Sequence, residues 1–245
     1  EELPNFKAIF IDEAQDLSPL QWKLYDVLKT KAEDIYLAGD DDQAIFAWAG
    51  ADVNRFIKEP AKEIVLQKSR RVSKAVQLQS SIPVNRIAGI RKHKEYKSRN
   101  FEGNADYITN LGQIDLRKGK WLILSRTKSN LLDIMQELKR KNIYYQSNKG
   151  KSFTVGIYKA ALAYSKWSIG EDIDSNEIED IKDYIPDSKF WNKDKNWYEV
   201  FTAANQQEVI YIRNLLTYNE KLSEPARVFV STIHAAKGGE EDNVI

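Results

Sequence analysis

Between Phe6 and Asp40 the chain reads as an apolar run, a capped helix and a second apolar run, an order that restricts this stretch to an α/β unit built on a parallel sheet. Phe6 to Ile11 is short and nearly all apolar, the pattern of a strand buried on both faces. Ser18-Pro19-Leu20-Gln21 supplies a capping box with proline at the first helical position. Leu20, Leu24, Val27 and Leu28 then recur at helical spacing and form one apolar stripe, expected to be core. Asp34 to Ala38 is the next strand, and Gly39 is expected to free the backbone to turn at its tip.

Parallel sheets bind ligands at the carboxyl ends of their strands, and the chemistry-bearing residues fall there. Asp12 is a candidate magnesium ligand, through water, because that ion keeps several waters and takes one or two carboxylates. Glu13 is placed to orient or deprotonate an attacking water, since phosphoryl transfer depends on positioning and charge neutralisation. The plain alternative is an Asp-Glu pair that merely opens a loop. At the second strand tip, Asp40, Asp41 and Asp42 put three acids side by side, which requires a cation or a basic neighbour. Gln43 is neutral and can both donate and accept, which suits a reporter of a γ-phosphate. Phe46 and Trp48 could stack on bases, worth roughly 1–3 kcal/mol per base. Burial in the core is the alternative for both rings.

These runs carry a resemblance. Asp12-Glu13-Ala14-Gln15-Asp16 resembles the Walker B motif of UvrD/Rep/PcrA-type superfamily 1 DNA helicases, and Gly39 to Asp52 resembles their third motif. Leu66-Gln-Lys-Ser-Arg-Arg71 is similar to their fourth motif, and Ser231-Thr-Ile-His-Ala-Ala-Lys-Gly-Gly-Glu240 to their fifth. The resemblance implies RecA-like motor domains, that is, parallel sheets with helices on both faces, using ATP and Mg2+ on single-stranded DNA and duplex junctions, with 3′-to-5′ movement. It implies that Asp12 coordinates magnesium, Glu13 is the catalytic carboxylate, and Gln43 and Arg71 contact the γ-phosphate. Phe46, Trp48, Arg126, Thr232 and His234 would then meet the DNA strand. Lys237 and Gly238 would lie near the phosphates, and Glu240 near the ribose. The chain departs from the pattern at Ala49, where the family usually has Arg, and at Ser69 and Arg70, which replace Asn and Tyr. Gly239 and Glu241 replace an apolar pair.

The chain begins with Glu and contains no Gly-x-x-x-x-Gly-Lys-Ser/Thr loop. The expectation is a piece of a longer helicase, inactive in ATP hydrolysis by itself. Four segments are expected: 1–72 as the end of a first RecA-like domain, 73–156 as the start of a second, 157–225 as a shortened helical insertion, and 226–245 as the second domain resumed. Within them, Ala105 to Thr109 and Lys120 to Ser125 read as strands. Lys128 to Lys141 reads as a helix capped by Thr127 or Ser129. Trp167, Trp191 and Trp197 are expected to form the small core of the insertion.

A hydrophobic content of 42% and no cysteine fit a folded chain in a reducing cytoplasm, and no apolar run is long enough to span a membrane. A monomer is expected, with replication or repair proteins as possible partners. The net charge of +1 conceals segregation. Gln67 to Asn100 holds ten Lys/Arg against Glu95, a net of +9, and Glu171 to Asp183 holds seven acids against Lys182, a net of −6. The basic block suits phosphate-backbone binding, or else it is a solvated face. Two further readings remain open: a non-catalytic single-strand-binding or partner-docking module, and the motor part of a helicase–nuclease.

Overall fold

Strand β1 (Phe6–Ile11), helix α1 (Pro19–Lys29) and strand β2 (Ala32–Leu37) form the crossover spelled out by the sequence, in a computed structural model that describes residues 3–245. The strands pair in parallel from Phe6↔Ala32 to Ile11↔Leu37. Pairing runs past both strand ends, with Ala38 N donating to Ile11 O at 2.8 Å and Ala14 N to Ala38 O at 2.9 Å. The capping box is complete: Ser18 Oγ accepts from Gln21 N at 3.4 Å and Gln21 Oε1 from Ser18 N at 2.8 Å.

Packing in this unit departs from expectation in three places. A two-stranded sheet does not bury β1 on both faces, and Phe10 (76% exposed) instead stacks on Tyr36 with ring centroids 4.8 Å apart. Helix α1 turns Trp22 and Tyr25 inward, whereas Leu20, Leu24 and Val27 lie exposed, so the leucine stripe is not the core face. The face running Trp22–Tyr25–Lys29 prevails because it joins two large rings to an ion pair. Tyr25 and Lys29 both donate to the buried carboxylate of Glu59, at 2.9 and 2.7 Å, and Arg55 lies over the Trp22 ring. Ala105 to Thr109 forms no strand. Helices α2 (Val53–Lys58) and α3 (Lys74–Val84) complete the unit, capped by Asp52 and Ser73.

The chain divides into two compact units, the first ending at Asn110 and the second running from Leu111 to Ile245, a boundary inside the 73–156 segment. The second unit contains β3 (Trp121–Ser125), α4 (Lys128–Arg140), β4 (Tyr145–Ser147), β5 (Gly150–Lys151), α5 (Val155–Ser168), α6 (Ser175–Lys182), α7 (Trp197–Val200), α8 (Gln206–Thr217), β6 (Val228–Thr232) and β7 (Asn243–Val244). Its five-stranded sheet has the order β5-β4-β6-β3-β7 and is parallel except between β4 and β5. Thr127 caps α4, its Oγ1 accepting from Asn130 N at 3.2 Å. Ile123, Leu138, Val228 and Val230 fill the core against the sheet. A second core, around Tyr164, Phe201 and Ile212, joins α5 to α8; Trp197 is buried in it, and Trp167 and Trp191 pack at its edge, 5.2 Å apart.

Candidate functional site

The parallel register of β1 and β2 sends Asp12-Glu13 and Gly39 to Gln43 off the same edge of one sheet. Asp12 is exposed, and its Oδ1 accepts from Glu13 N at 2.9 Å. Glu13 takes φ 51° and ψ 39°, a left-handed conformation that a β-carbon disfavours and that recurs at functional sites. Gln15 is fully buried and bridges the two tips. Its Nε2 donates to Glu13 Oε2 at 2.5 Å, and its Oε1 accepts from Asp40 N at 3.0 Å. Sequence reasoning assigns no role to Gln15; a polar side chain that must be paired when buried, two residues from a strand-tip acid, is the signal that could have found it.

Gly39 is required for space and not, as expected, for turning, because its φ lies outside the left-handed region that favours glycine. A β-carbon there would stand 2.5 Å from Gln15 Oε1 and 2.8 Å from Phe56 Cζ, so any side chain would push the bridging amide aside.

The basic neighbour required by the three acids comes from residues 91–96. Lys94 Nζ reaches Asp40 Oδ1 at 2.7 Å and Asp42 Oδ2 at 3.3 Å, and also pairs with Asp41. Arg91 grips Asp42 with both Nε (2.8 Å) and an Nη (2.6 Å). Tyr96 OH donates to Asp40 Oδ2 at 2.9 Å, and Gln43 Nε2 donates to the same oxygen at 2.7 Å. Burial works against the Asp40 carboxylate, but hydrogen bonds from Lys94 and Gln43 outweigh it and hold the pKa below the ordinary value. Asp42 is lowered in the same way, against burial, by Arg91 and Lys94. Burial together with the hydrogen bond to Asp40 pushes the Tyr96 hydroxyl up to about 12. Arg91, Lys92 and Lys94 of the basic block are thus committed to acids of this unit, with Lys92 paired to Glu63.

Beyond Gln43, Phe46 is half-buried and Trp48 is 73% exposed, with ring centroids 6.4 Å apart. Arg71 is exposed at a turn in which Ser69 Oγ accepts from Arg71 N at 3.2 Å and Val72 N at 3.0 Å. In the second unit, β3 and β6 end in register at Ser125↔Thr232, which brings exposed Arg126 and half-buried Thr232 and His234 to one sheet edge. Thr232 Oγ1 accepts from Ala235 N at 3.2 Å, and Gly238 has φ +83°, a conformation suited to glycine, so the loop carrying Lys237, Gly238 and Glu240 is tightly turned.

Residues 3–63 match the family described as UvrD/REP helicase N-terminal domain. This segment is of UvrD/Rep/PcrA type. The ATP-dependent DNA helicase PcrA of Bacillus subtilis is 28% identical over 192 residues, covering 74% of this chain and 25% of that protein. The PcrA of Staphylococcus epidermidis is 27% identical over 171 residues, or 61% and 23%. The ATP-dependent DNA helicase Rep of Buchnera aphidicola is 40% identical over 52 residues, or 21% and 8%. The chain therefore spans about a quarter of the length of the PcrA relatives it matches. With this match, the parallel-dominated α/β architecture is that of the RecA-like class. No helix among the described residues is long and apolar enough to cross a membrane.

Proposed function

We propose that this chain supplies part of an ATP-dependent DNA helicase or translocase that couples Mg-ATP hydrolysis to movement along single-stranded DNA. The observation that carries the reading is the buried Gln15 bridge, which fixes the Glu13 carboxylate at one strand tip to Asp40 at the next, and through Asp40 to Gln43. Asp12 offers hard oxygens at an exposed strand tip, a donor that fits magnesium held through water. Glu13, oriented by the hydrogen bond from Gln15, is the carboxylate that meets the attacking water. As that water's oxygen bonds to the γ-phosphorus, its proton passes to Glu13 and the bond to the β-phosphate oxygen breaks. Gln43 and Arg71 contact the γ-phosphate, and Lys237, Gly238 and Glu240 the rest of the nucleotide. Phe46, Trp48, Arg126, Thr232 and His234 line the strand, and the exposure of the Trp48 ring supports base stacking. The 3′-to-5′ direction, duplex junctions as substrate, monomeric action in the cytoplasm and the segment roles given by sequence rest on the family resemblance.

The test is ATP hydrolysis by the full-length protein with and without single-stranded DNA, beside Glu13→Gln. Hydrolysis stimulated by DNA is expected, falling by about 10²–10⁴-fold in the variant, with nucleotide binding retained. Absence of hydrolysis with DNA binding intact favours the non-catalytic module and removes the roles assigned to Asp12 and Glu13.

A further inference from the structure

Residues 91–97 form a strap whose ends meet residues close in sequence to both candidate phosphate readers of the first unit, Gln43 and Arg71. At one end Lys94 Nζ and Tyr96 OH hold the two oxygens of Asp40, at 2.7 and 2.9 Å, and Arg91 holds Asp42. At the other end Lys97 O accepts from Ser69 N at 2.8 Å and Lys97 N donates to Gln67 O at 2.7 Å, just ahead of Arg71. The strap is itself held by Gln77 of α3, whose amide donates to Tyr96 O and accepts from Ser98 N at 2.8 Å. The side chains concerned are sequestered: Lys94 is 7% exposed, Asp41 3% and Asp42 5%. Gln43 Nε2 donates to the Asp40 oxygen that also receives the Tyr96 proton. The placement of the Gln43 amide therefore depends on where Lys94 and Tyr96 hold that carboxylate.

We propose that Lys94 and Tyr96 are positioning residues that set the Gln43 amide through Asp40, so that strap 91–97 tunes how the γ-phosphate is read. The proposal rests on the reading of Gln43 given above. An ion network buried this far usually reads as structural, but here it ends on a carboxylate that accepts both from Asp42 N, at 3.1 Å, and from the candidate sensor. Loss of Lys94 leaves Asp40 without its cation, held by the neutral donors Asp42 N, Tyr96 OH and Gln43 Nε2, and the acceptor of Gln43 is less firmly placed. Tyr96→Phe is milder, removing a single O–H donor from the same oxygen and keeping the ring.

The experiment is a double-mutant cycle on DNA-stimulated ATP hydrolysis by the full-length protein. Lys94→Ala and Tyr96→Phe are each made alone and together with Gln43→Ala, and kcat and KM for ATP are measured separately. In the Gln43 background Lys94→Ala is expected to lower kcat by about ten- to a hundredfold, and Tyr96→Phe by about two- to fivefold, with KM within about threefold. In the Gln43→Ala background each is expected to change kcat by less than about twofold, because the group they position is gone. Equal losses in both backgrounds, or an unchanged kcat in Tyr96→Phe, overturn the proposal. If Lys94→Ala does not fold, the Tyr96→Phe arm decides by itself. A wild-type protein without ATP hydrolysis sinks the helicase reading and the strap together, whereas an active wild type with additive losses sinks the strap alone.

Discussion

Around Tyr25 the first unit packs polar groups against one another, whereas around Tyr164 the second unit packs aromatic rings. Tyr25, Lys29 and Arg55 converge on the buried Glu59 carboxylate, and Lys94 and Arg91 on Asp40 to Asp42. The first unit buries the apolar residues Ala14, Trp22 and Tyr25 and leaves Phe10, Leu20, Leu24 and Val27 exposed. In the second unit Phe201 meets Tyr164 edge to face at 5.9 Å, stacks on Tyr184 at 5.5 Å and meets Trp197 at 5.7 Å. The contrast separates two kinds of order. Packing fixes shape with little regard for direction, while hydrogen-bonded charges fix where an individual oxygen or amide points. The residues that resemble an ATP-hydrolysing site lie mostly in the directional half.

Truncating the aromatic core has the largest expected effect. Phe201 is 1% exposed, and Phe201→Ala removes a ring from among three others. The expected loss is about 3–5 kcal/mol of unfolding free energy, read from denaturant midpoints in which a probe in the second unit shifts. A loss below about 1 kcal/mol would mean that this core is loosely packed and that the two units do not differ in kind.

Removal of the polar hub of the first unit should cost less. Glu59→Ala deletes a side chain 5% exposed that accepts from Tyr25, Lys29 and Arg55. The expected loss is about 1.5–3 kcal/mol, because Lys29 and Arg55 are already partly in water and can return to it. The same group gives the comparison a pH signature. Burial disfavours the Glu59 carboxylate, but Lys29 and Tyr25 outweigh it, so its pKa lies below the ordinary value, as do those of Asp40 and Asp42. A carboxylate lowered by folding stabilises fully above its unfolded pKa, about 4, and loses that contribution as pH falls through the lower folded value. In the second unit Tyr144 and Tyr145 are pushed up to about 12 by burial, so their contribution is lost as pH rises above about 10. Glu177, Asp187 and Glu199 of the second unit are lowered as well, by partners at the surface outside the aromatic core, so hydrogen exchange at pH 3 should rise more in peptides covering 22–59 than in those covering 157–215. Uniform opening of both units would remove the distinction.

Local signals were legible in the sequence, and long-range partnerships were not. The capping box at Ser18, the Thr127 cap, the strand–helix–strand order and the placement of Asp12-Glu13 at a strand end all follow from residues within a few positions of one another. The bridge from Gln15 to Asp40 spans 25 residues, and Lys94 meets Asp40 across 54. Three adjacent acids announced that a cation was required without saying which of the 37 Lys/Arg would supply it. The same limit explains the misreading of α1. Periodicity shows that a helix carries a stripe, but α1 carries two: Leu20–Leu24–Val27 and Trp22–Tyr25–Lys29. Which stripe turns inward was decided by Glu59, thirty residues beyond Lys29.

That decision yields the smallest expected effect. Leu24 is 55% exposed and lies on the outward stripe of α1, and leucine and alanine have nearly equal helix propensity. Leu24→Ala in the 245-residue chain should therefore change unfolding free energy by no more than about 0.5 kcal/mol, compared with several times that for Trp22→Ala on the opposite face. Thermal unfolding of the two variants side by side checks it. A Leu24→Ala cost above about 2 kcal/mol, the range of a buried leucine, would place the leucine stripe in a core after all. The polar hub at Glu59 would then be secondary, and the first unit would be held, like the second, by apolar packing.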